Sequence, residues 1–247
     1  GLPFSLYKTF VIEKKYGFNT TTIATYVSDL LKGWVLAVVI GGPVLSLVMI
    51  FFTLFGDHAW WIVWVSLTLF QLLLFFLAPI VIMPLFNKFE PLEAGGLKTS
   101  ILEYAKKEKF SLAGLFTMDG SKRSNKSNAF FTGVGKFRRI VLFDTLIEKH
   151  SVKELLGVVA HEMGHYKKKH ILKMLLVSIL TSAVMFYFLG FILNTRFLFD
   201  SFGIAQPSVY LGLVIFGFLY SPVSFLLGLF SNIMSRKHEF EADEYAV

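Results

Sequence analysis

The chain has 247 residues, 55% of them hydrophobic and 17% charged, with a mean hydropathy of +0.63 and a net charge of +7. A soluble domain carries about a quarter charged residues; here the apolar surplus is gathered into long blocks, which excludes an ordinary soluble enzyme and indicates a membrane protein. There is no cysteine, so disulfides and thiolate metal sites are excluded and only histidine and carboxylates remain as metal ligands.

The basic surplus reads as loop charge facing the anionic headgroups of a lipid bilayer. No nucleic-acid partner is expected, because the cations do not alternate with aromatics on a polar face. The chain opens on Gly1-Leu2-Pro3 and closes on Tyr245-Ala246-Val247 inside a helical pattern. It is therefore expected to be a fragment of a longer protein, without a signal peptide.

Residues 1–33 form an interfacial N-terminal segment, with aromatics alternating with charges and then a short amphipathic helix over 20–33. Residues 34–83 hold two transmembrane helices, Trp34–Phe55 and Ala59–Met83, each long enough for a hydrocarbon core of about 30 Å. Gly41, Gly42 and Pro43 interrupt the first, and Gly56, Asp57 and His58 make a tight turn. Trp60, Trp61 and Trp64 read as an interfacial belt.

Residues 84–170 are expected to be a small α+β unit, with a helix over 97–110 and strands over 114–120 and 127–144 around glycine turns. Ser151 and Glu154 fit a capping box that starts a helix. That helix carries His161-Glu162-Met163-Gly164-His165 and is expected to run on into a third span, Ile171–Leu193. A loop covers 194–207, a fourth span covers Ser208–Phe230 with a kink before Pro222, and 233–247 is a polar helix; two transmembrane helices thus occupy 171–232. The fold class is mainly α: a polytopic membrane protein, a helical transmembrane bundle with a small α+β unit on one membrane face. Counting spans puts all the polar segments on one face, and nearly all Lys and Arg with them. The positive-inside rule makes that face cytoplasmic, in the endoplasmic reticulum or a bacterial inner membrane.

His161 and His165 are i and i+4 on a helix, so both imidazoles leave one face about one turn apart. This is the reach needed for two ligands on one Zn²⁺, with one ion per chain. Glu162 lies beside the first ligand, where it can act as general base on a metal-bound water. A third histidine at metzincin distance is missing: Lys168 and Ile171 stand where Gly and His would be. His170 is one position short, on another helix face, and reads as a basic residue at headgroup level. The third ligand is expected from His238-Glu239-Phe240-Glu241-Ala242-Asp243-Glu244. Spacing favours Glu239 and leaves Glu241, Asp243 and Glu244 open; a carboxylate that does not bind metal can fix a ligand histidine's tautomer.

The segments 2–19, 120–133, 139–148, His161–His165 and 239–243 together resemble the CAAX prenyl endopeptidases, zinc proteases of membranes that process prenylated proteins. The likeness runs over essentially the whole chain. It implies His161, His165 and Glu239 as zinc ligands, Glu162 as catalytic base and Asp243 as the residue holding a ligand histidine. It implies that Asn128, Ala129 and Phe130 belong to an edge strand that pairs with a peptide substrate's backbone. It further implies a barrel of seven spans around a water-filled chamber, with a peptide or prenylated protein as substrate, and an oxyanion-stabilising histidine beyond Val247. A membrane quality-control protease of the heat-shock type shares the His-Glu-x-x-His motif and is the nearest alternative. A non-catalytic scaffold with a retained metal site is the other, and intact Glu162 argues against it.

Overall fold

The computed structural model describes residues 1–133 and 138–247. Helix α1 (Leu2–Tyr7) widens into a π-helical stretch, Lys8–Glu13. Helix α2 (Ile23–Leu36) passes through a π turn (Ala37–Gly41) into α3 (Gly42–Phe55), and α4 (Ala59–Leu77) passes through another (Ala78–Ile82) into α5 (Met83–Phe86). Pro43 follows the first of these turns and Pro79 lies in the second. A proline lacks an N–H and its ring crowds the carbonyl four residues back; a wider turn absorbs this without ending the helix. The lead-in helix and first span, expected to be separate, are therefore one run from Ile23 to Phe55. It ends at Gly56, where φ is +49°, a backbone state that favours glycine.

Next come β1 (Phe89–Pro91), α6 (Gly96–Lys107), β2 (Gly114–Met118), β3 (Ala129–Thr132), β4 (Arg139–Phe143) and α7 (Asp144–Lys149). The chain ends with α8 (Val152–Lys167), α9 (His170–Asn194), α10 (Arg196–Ser201) and α11 (Val209–Ala246). It divides into two compact units: Gly1–Trp34 with Phe75–Lys167 and Glu241–Val247, and Val35–Leu74 with Lys168–Phe240.

The first unit holds a four-stranded sheet in the order β1-β2-β4-β3. β2 runs parallel to β4, and the outer strands β1 and β3 are antiparallel to their neighbours. β1 was not expected from the sequence; three residues closed by a proline carry little periodicity, and an edge position spares the missing N–H. Ile140 and Leu142 of β4 are fully buried, in one cluster with Ile101 and Ala105 of α6 and Leu155, Val159 and Met163 of α8. The glycine turn expected between β3 and β4 falls largely on 134–137, outside the described residues.

The loop before β3 is held by polar contacts. Arg123 donates to both carboxylate oxygens of Asp29 (2.7 and 2.8 Å), to Asn87 Oδ1 (2.7 Å) and to the Phe86 carbonyl (2.7 Å). The Asp29 carboxylate holds the Arg123 guanidinium above its ordinary pKa. Thr21 Oγ1 and Thr20 N–H both donate to the Arg123 carbonyl.

In the second unit, Val48 and Phe52 of α3, Ala59 and Val63 of α4, and Phe186 and Leu189 of α9 form a buried cluster. Trp60 meets Tyr187 edge to face, with centroids 5.3 Å apart, and Trp64 Nε1–H donates to the Ile179 carbonyl at 3.1 Å. Trp60 and Trp64 pack on α9, and Trp61 is exposed. α10 lies in the segment expected to be a loop, and its Phe199 packs with Ile192 and Ile215. α11 continues through Pro222, so the fourth span and the polar tail are one helix of 38 residues. One missing N–H removes a single rung, and membrane helices tolerate that.

Among the described residues, three stretches, Ile23–Phe86, His170–Asn194 and Val209–Ala246, are long and apolar enough to cross a membrane, the first broken by the Gly56–His58 turn. Only 11%, 22% and 6% of their most apolar windows is buried within the protein. Phe218, Phe225 and Leu226 of α11 are all exposed. Apolar surface on this scale is unfavourable in water and neutral in lipid.

Candidate metal centre

The capping box fixes where α8 begins. Ser151 N–H and Oγ–H donate to Glu154 Oε2 at 2.7 and 2.8 Å, and Glu154 N–H donates back to Ser151 Oγ at 3.4 Å. The backbone donor of Ser151 is the main reason the Glu154 carboxyl lies below its usual pKa, with the Ser151 hydroxyl second. Leu155, Val159 and Met163 recur every four residues and face the core. His161 and His165 lie half a turn round from that stripe, so burying it turns both imidazoles away from the sheet. α8 does not run on into the next span as expected. It ends at Lys167, and Lys169 takes a left-handed conformation (φ +58°) that turns the chain before α9.

The two imidazoles meet at 77° with centroids 4.8 Å apart, and their Nε2 atoms lie 3.1 Å from each other. Two nitrogens bound at about 2.0–2.1 Å to one tetrahedral zinc stand about 3.3 Å apart, so the pair is already near ligand spacing. His161 Nδ1 lies 2.7 Å from Asp243 Oδ1. An ionised carboxylate can only accept, so Nδ1 carries the proton and Nε2 offers its lone pair.

Asp243 belongs to the last turns of α11, which pack on α8 within the first unit. Gly164 faces the Ala242 backbone, and Tyr245 Oη–H donates to Glu108 Oε2 at 2.5 Å. Glu239 sits one turn before Asp243 on the same helix. One ligand atom each from His161, His165 and Glu239 lie within 4.8 Å of one another, a donor set of two imidazoles and one carboxylate that suits zinc. Of the other carboxylates open as third ligand, Asp243 instead takes His161 Nδ1, Glu241 is half-buried and Glu244 is exposed. Glu162 is half-buried beside His161.

The structure places Asn128 just before β3 and Ala129 and Phe130 in it, at one edge of the sheet. The Asn128 carbonyl accepts from Phe143 N–H at 3.0 Å, and its Oδ1 accepts from Ala129 N–H at 3.0 Å. Ala129 is buried and Phe130 half-buried, edge to face with Phe143.

His170 is a correction. It was expected at headgroup level; instead it is 3% exposed and stacked on His238, with centroids 4.1 Å apart and planes at 12°. Its lysine neighbours disguised it, and nothing local links residues 170 and 238. Gly164 was passed over too. A signal was present, because glycine inside a helix is about 1 kcal/mol worse than alanine and invites a reason.

Residues 91–247 match Peptidase family M48, and residues 1–88 match a family described as CAAX prenyl protease N-terminal, five membrane helices. The chain belongs to Peptidase family M48. It is 39% identical to CAAX prenyl protease 1 of Saccharomyces cerevisiae, over 99% of this chain and 58% of that protein. It is 41% identical to the CAAX prenyl protease 1 homolog of Oryza sativa, over the same shares of each. The crystal structure of S. mikatae Ste24p superposes with a TM-score of 0.92 at 39% identity, covering 99% of this chain and 61% of that one. The chain thus spans about three-fifths of the length of these relatives. It is an integral, multi-pass membrane protein.

Proposed function

We propose that the chain carries the zinc centre of a membrane endopeptidase that cleaves peptide bonds in prenylated or other membrane-associated proteins. The observation behind this reading is the convergence of His161, His165 and Glu239 on one point, with Asp243 on the far nitrogen of His161. His161, His165 and Glu239 would hold one zinc ion, and Asp243 would fix the tautomer and ring angle of His161. Bound there, zinc would supply a Lewis acid that polarises the scissile carbonyl and acidifies water.

Glu162 takes a proton from the attacking water and returns it to the leaving amine. The outer edge of β3, from Asn128 to Phe130, pairs with the backbone of an extended substrate. Prenylated proteins as substrates rest on the names of the relatives and on a general consideration. A prenyl chain partitions into hydrocarbon at about 0.8 kcal/mol per buried CH₂, which brings its peptide to a membrane-borne site. The charge bias of the loops favours a cytoplasmic face for the site.

The test uses the full-length protein in detergent, with zinc per chain and cleavage of a quenched prenylated peptide as readouts. Wild type is expected to hold about one zinc, lost in Glu239→Ala. Glu162→Gln is expected to keep the zinc and lose cleavage by at least about a thousandfold. Turnover near wild type in Glu162→Gln would remove the base; zinc retained in Glu239→Ala would remove the third ligand.

A further inference from the structure

Gly164, inside the His-Glu-x-x-His motif, has no chemistry of its own, yet it is buried where α8 meets the end of α11. A Cβ built on it would lie 3.0 Å from both the Cα and the carbonyl oxygen of Ala242, and 3.2 Å from Tyr245 Cβ. Two of these three atoms are backbone, so no side-chain rotation relieves the crowding. Ala242 is itself fully buried. The two helices therefore touch at a point where neither could carry a larger side chain without moving apart.

That point lies within a turn of each group it would control. Gly164 is three residues after His161 and one before His165. Ala242 is one residue before Asp243 and three after Glu239. Two polar contacts fix the remaining freedom of the pair: the 2.7 Å bond from His161 Nδ1 to Asp243, and the 2.5 Å bond from Tyr245 Oη to Glu108. Lys167 Nζ, at the end of α8, donates to the Glu108 carbonyl at 2.6 Å. The ends of α8 and α11 thus share an anchor on one residue, and Gly164 sets their separation between that anchor and the metal ligands.

We propose that Gly164 is a positioning residue for the metal centre: its missing side chain sets the distance between α8 and the end of α11 at which Asp243 reaches His161. The inference rests on the reading of His161, His165 and Glu239 as one zinc site. A methyl group at residue 164 would act like lengthening the Asp243–His161 bond. Parting the two helices both stretches this contact and tilts it from linear, and hydrogen bonds weaken steeply once misaligned; loss of such an outer partner lowers metal affinity about 10–100-fold.

The experiment is zinc affinity by competition with a chromophoric chelator, on full-length protein in detergent. Four proteins are compared: wild type, Gly164→Ala, Asp243→Ala and the double variant. Gly164→Ala is expected to weaken zinc about 10–100-fold in the wild-type background and by less than about threefold once Asp243 is gone. In the metal-free proteins Gly164→Ala is expected to lower the thermal unfolding midpoint by a similar amount with and without Asp243, so a role limited to packing would appear there and leave the zinc coupling untouched. Unchanged affinity in Gly164→Ala, or an equal loss in both backgrounds, overturns the inference.

Tyr245→Phe removes one oxygen and no volume, and it decides the matter if Gly164→Ala does not accumulate. A fall of about threefold supports the shared anchor, and no change overturns it. Wild type without zinc would overturn the reading of the site and this inference together. Wild type with zinc and an indifferent Gly164→Ala would overturn this inference alone.

Discussion

The two units are both rich in apolar residues, yet they use them in opposite ways. Around the sheet of the first unit, apolar side chains such as Ile140 and Leu142 are buried in one cluster, and the loop before β3 is held by hydrogen bonds such as the four from Arg123. In the second, a small cluster joins the spans, and residues such as Phe218, at 75% exposure, point outward. The sheet region has the inside-out contrast of a protein in water; the spans have the low contrast expected where the solvent is hydrocarbon. His161 and its partner Asp243 lie in the unit that carries the sheet.

The contrast can be broken most strongly in the core. Leu142→Ala leaves a cavity at a fully buried strand position and is expected to lower stability by about 3 kcal/mol. Phe218→Ala, on an exposed helix face, should shift it by less than about 0.5 kcal/mol. Denaturation of both variants in detergent checks the pair, and equal losses would mean that the two units do not differ as described. Next in size is Arg123→Ala. It strands a carboxylate that is about a quarter exposed, and about 2 kcal/mol should be lost, seen as earlier melting of the first unit by hydrogen exchange.

A smaller effect is expected from Trp64→Phe, which keeps one aromatic ring but loses the pyrrole half of the indole, whose N–H donates to the Ile179 carbonyl. It should cost about 1 kcal/mol by the same denaturation. Smallest is the pH dependence of the capping box. The Glu154 carboxyl titrates below its ordinary value when folded, so its stabilising effect is full above the unfolded pKa of about 4.3 and fades as pH falls through the folded value. The melting advantage of wild type over Glu154→Ala should be present at pH 6 and shrink as the pH is lowered below about 4. A constant difference would break the link to that carboxylate.

Much of this was legible in local pattern. The spans follow from unbroken apolar runs, the start of α8 from Ser151 and Glu154, and the pair of imidazoles from a spacing of four on a helix. Those signals are short-range, so one sequence carries them. What local pattern does not carry is a contact that joins distant residues. The contacts of Trp60 and Trp64 with α9 are of this kind. His170 was read by its lysine neighbours and is stacked on a residue 68 positions away.

By itself the sequence determined that the chain is a membrane protein, that a helix presents two histidines and a glutamate together, and that some carboxylate near residue 240 is available to complete the set. Only the tertiary structure decided where each carboxylate lies. Glu239 and Asp243 are one turn apart on the same helix, and spacing favours Glu239 as ligand without excluding Asp243. In the structure Asp243 lies at Nδ1 of His161, beside the contact of α11 with Gly164, while Glu239 joins His161 and His165 in one group that could hold a metal. Local periodicity sets which way a side chain leaves its own helix. The distance to a helix some eighty residues away depends on how closely two backbones can pack.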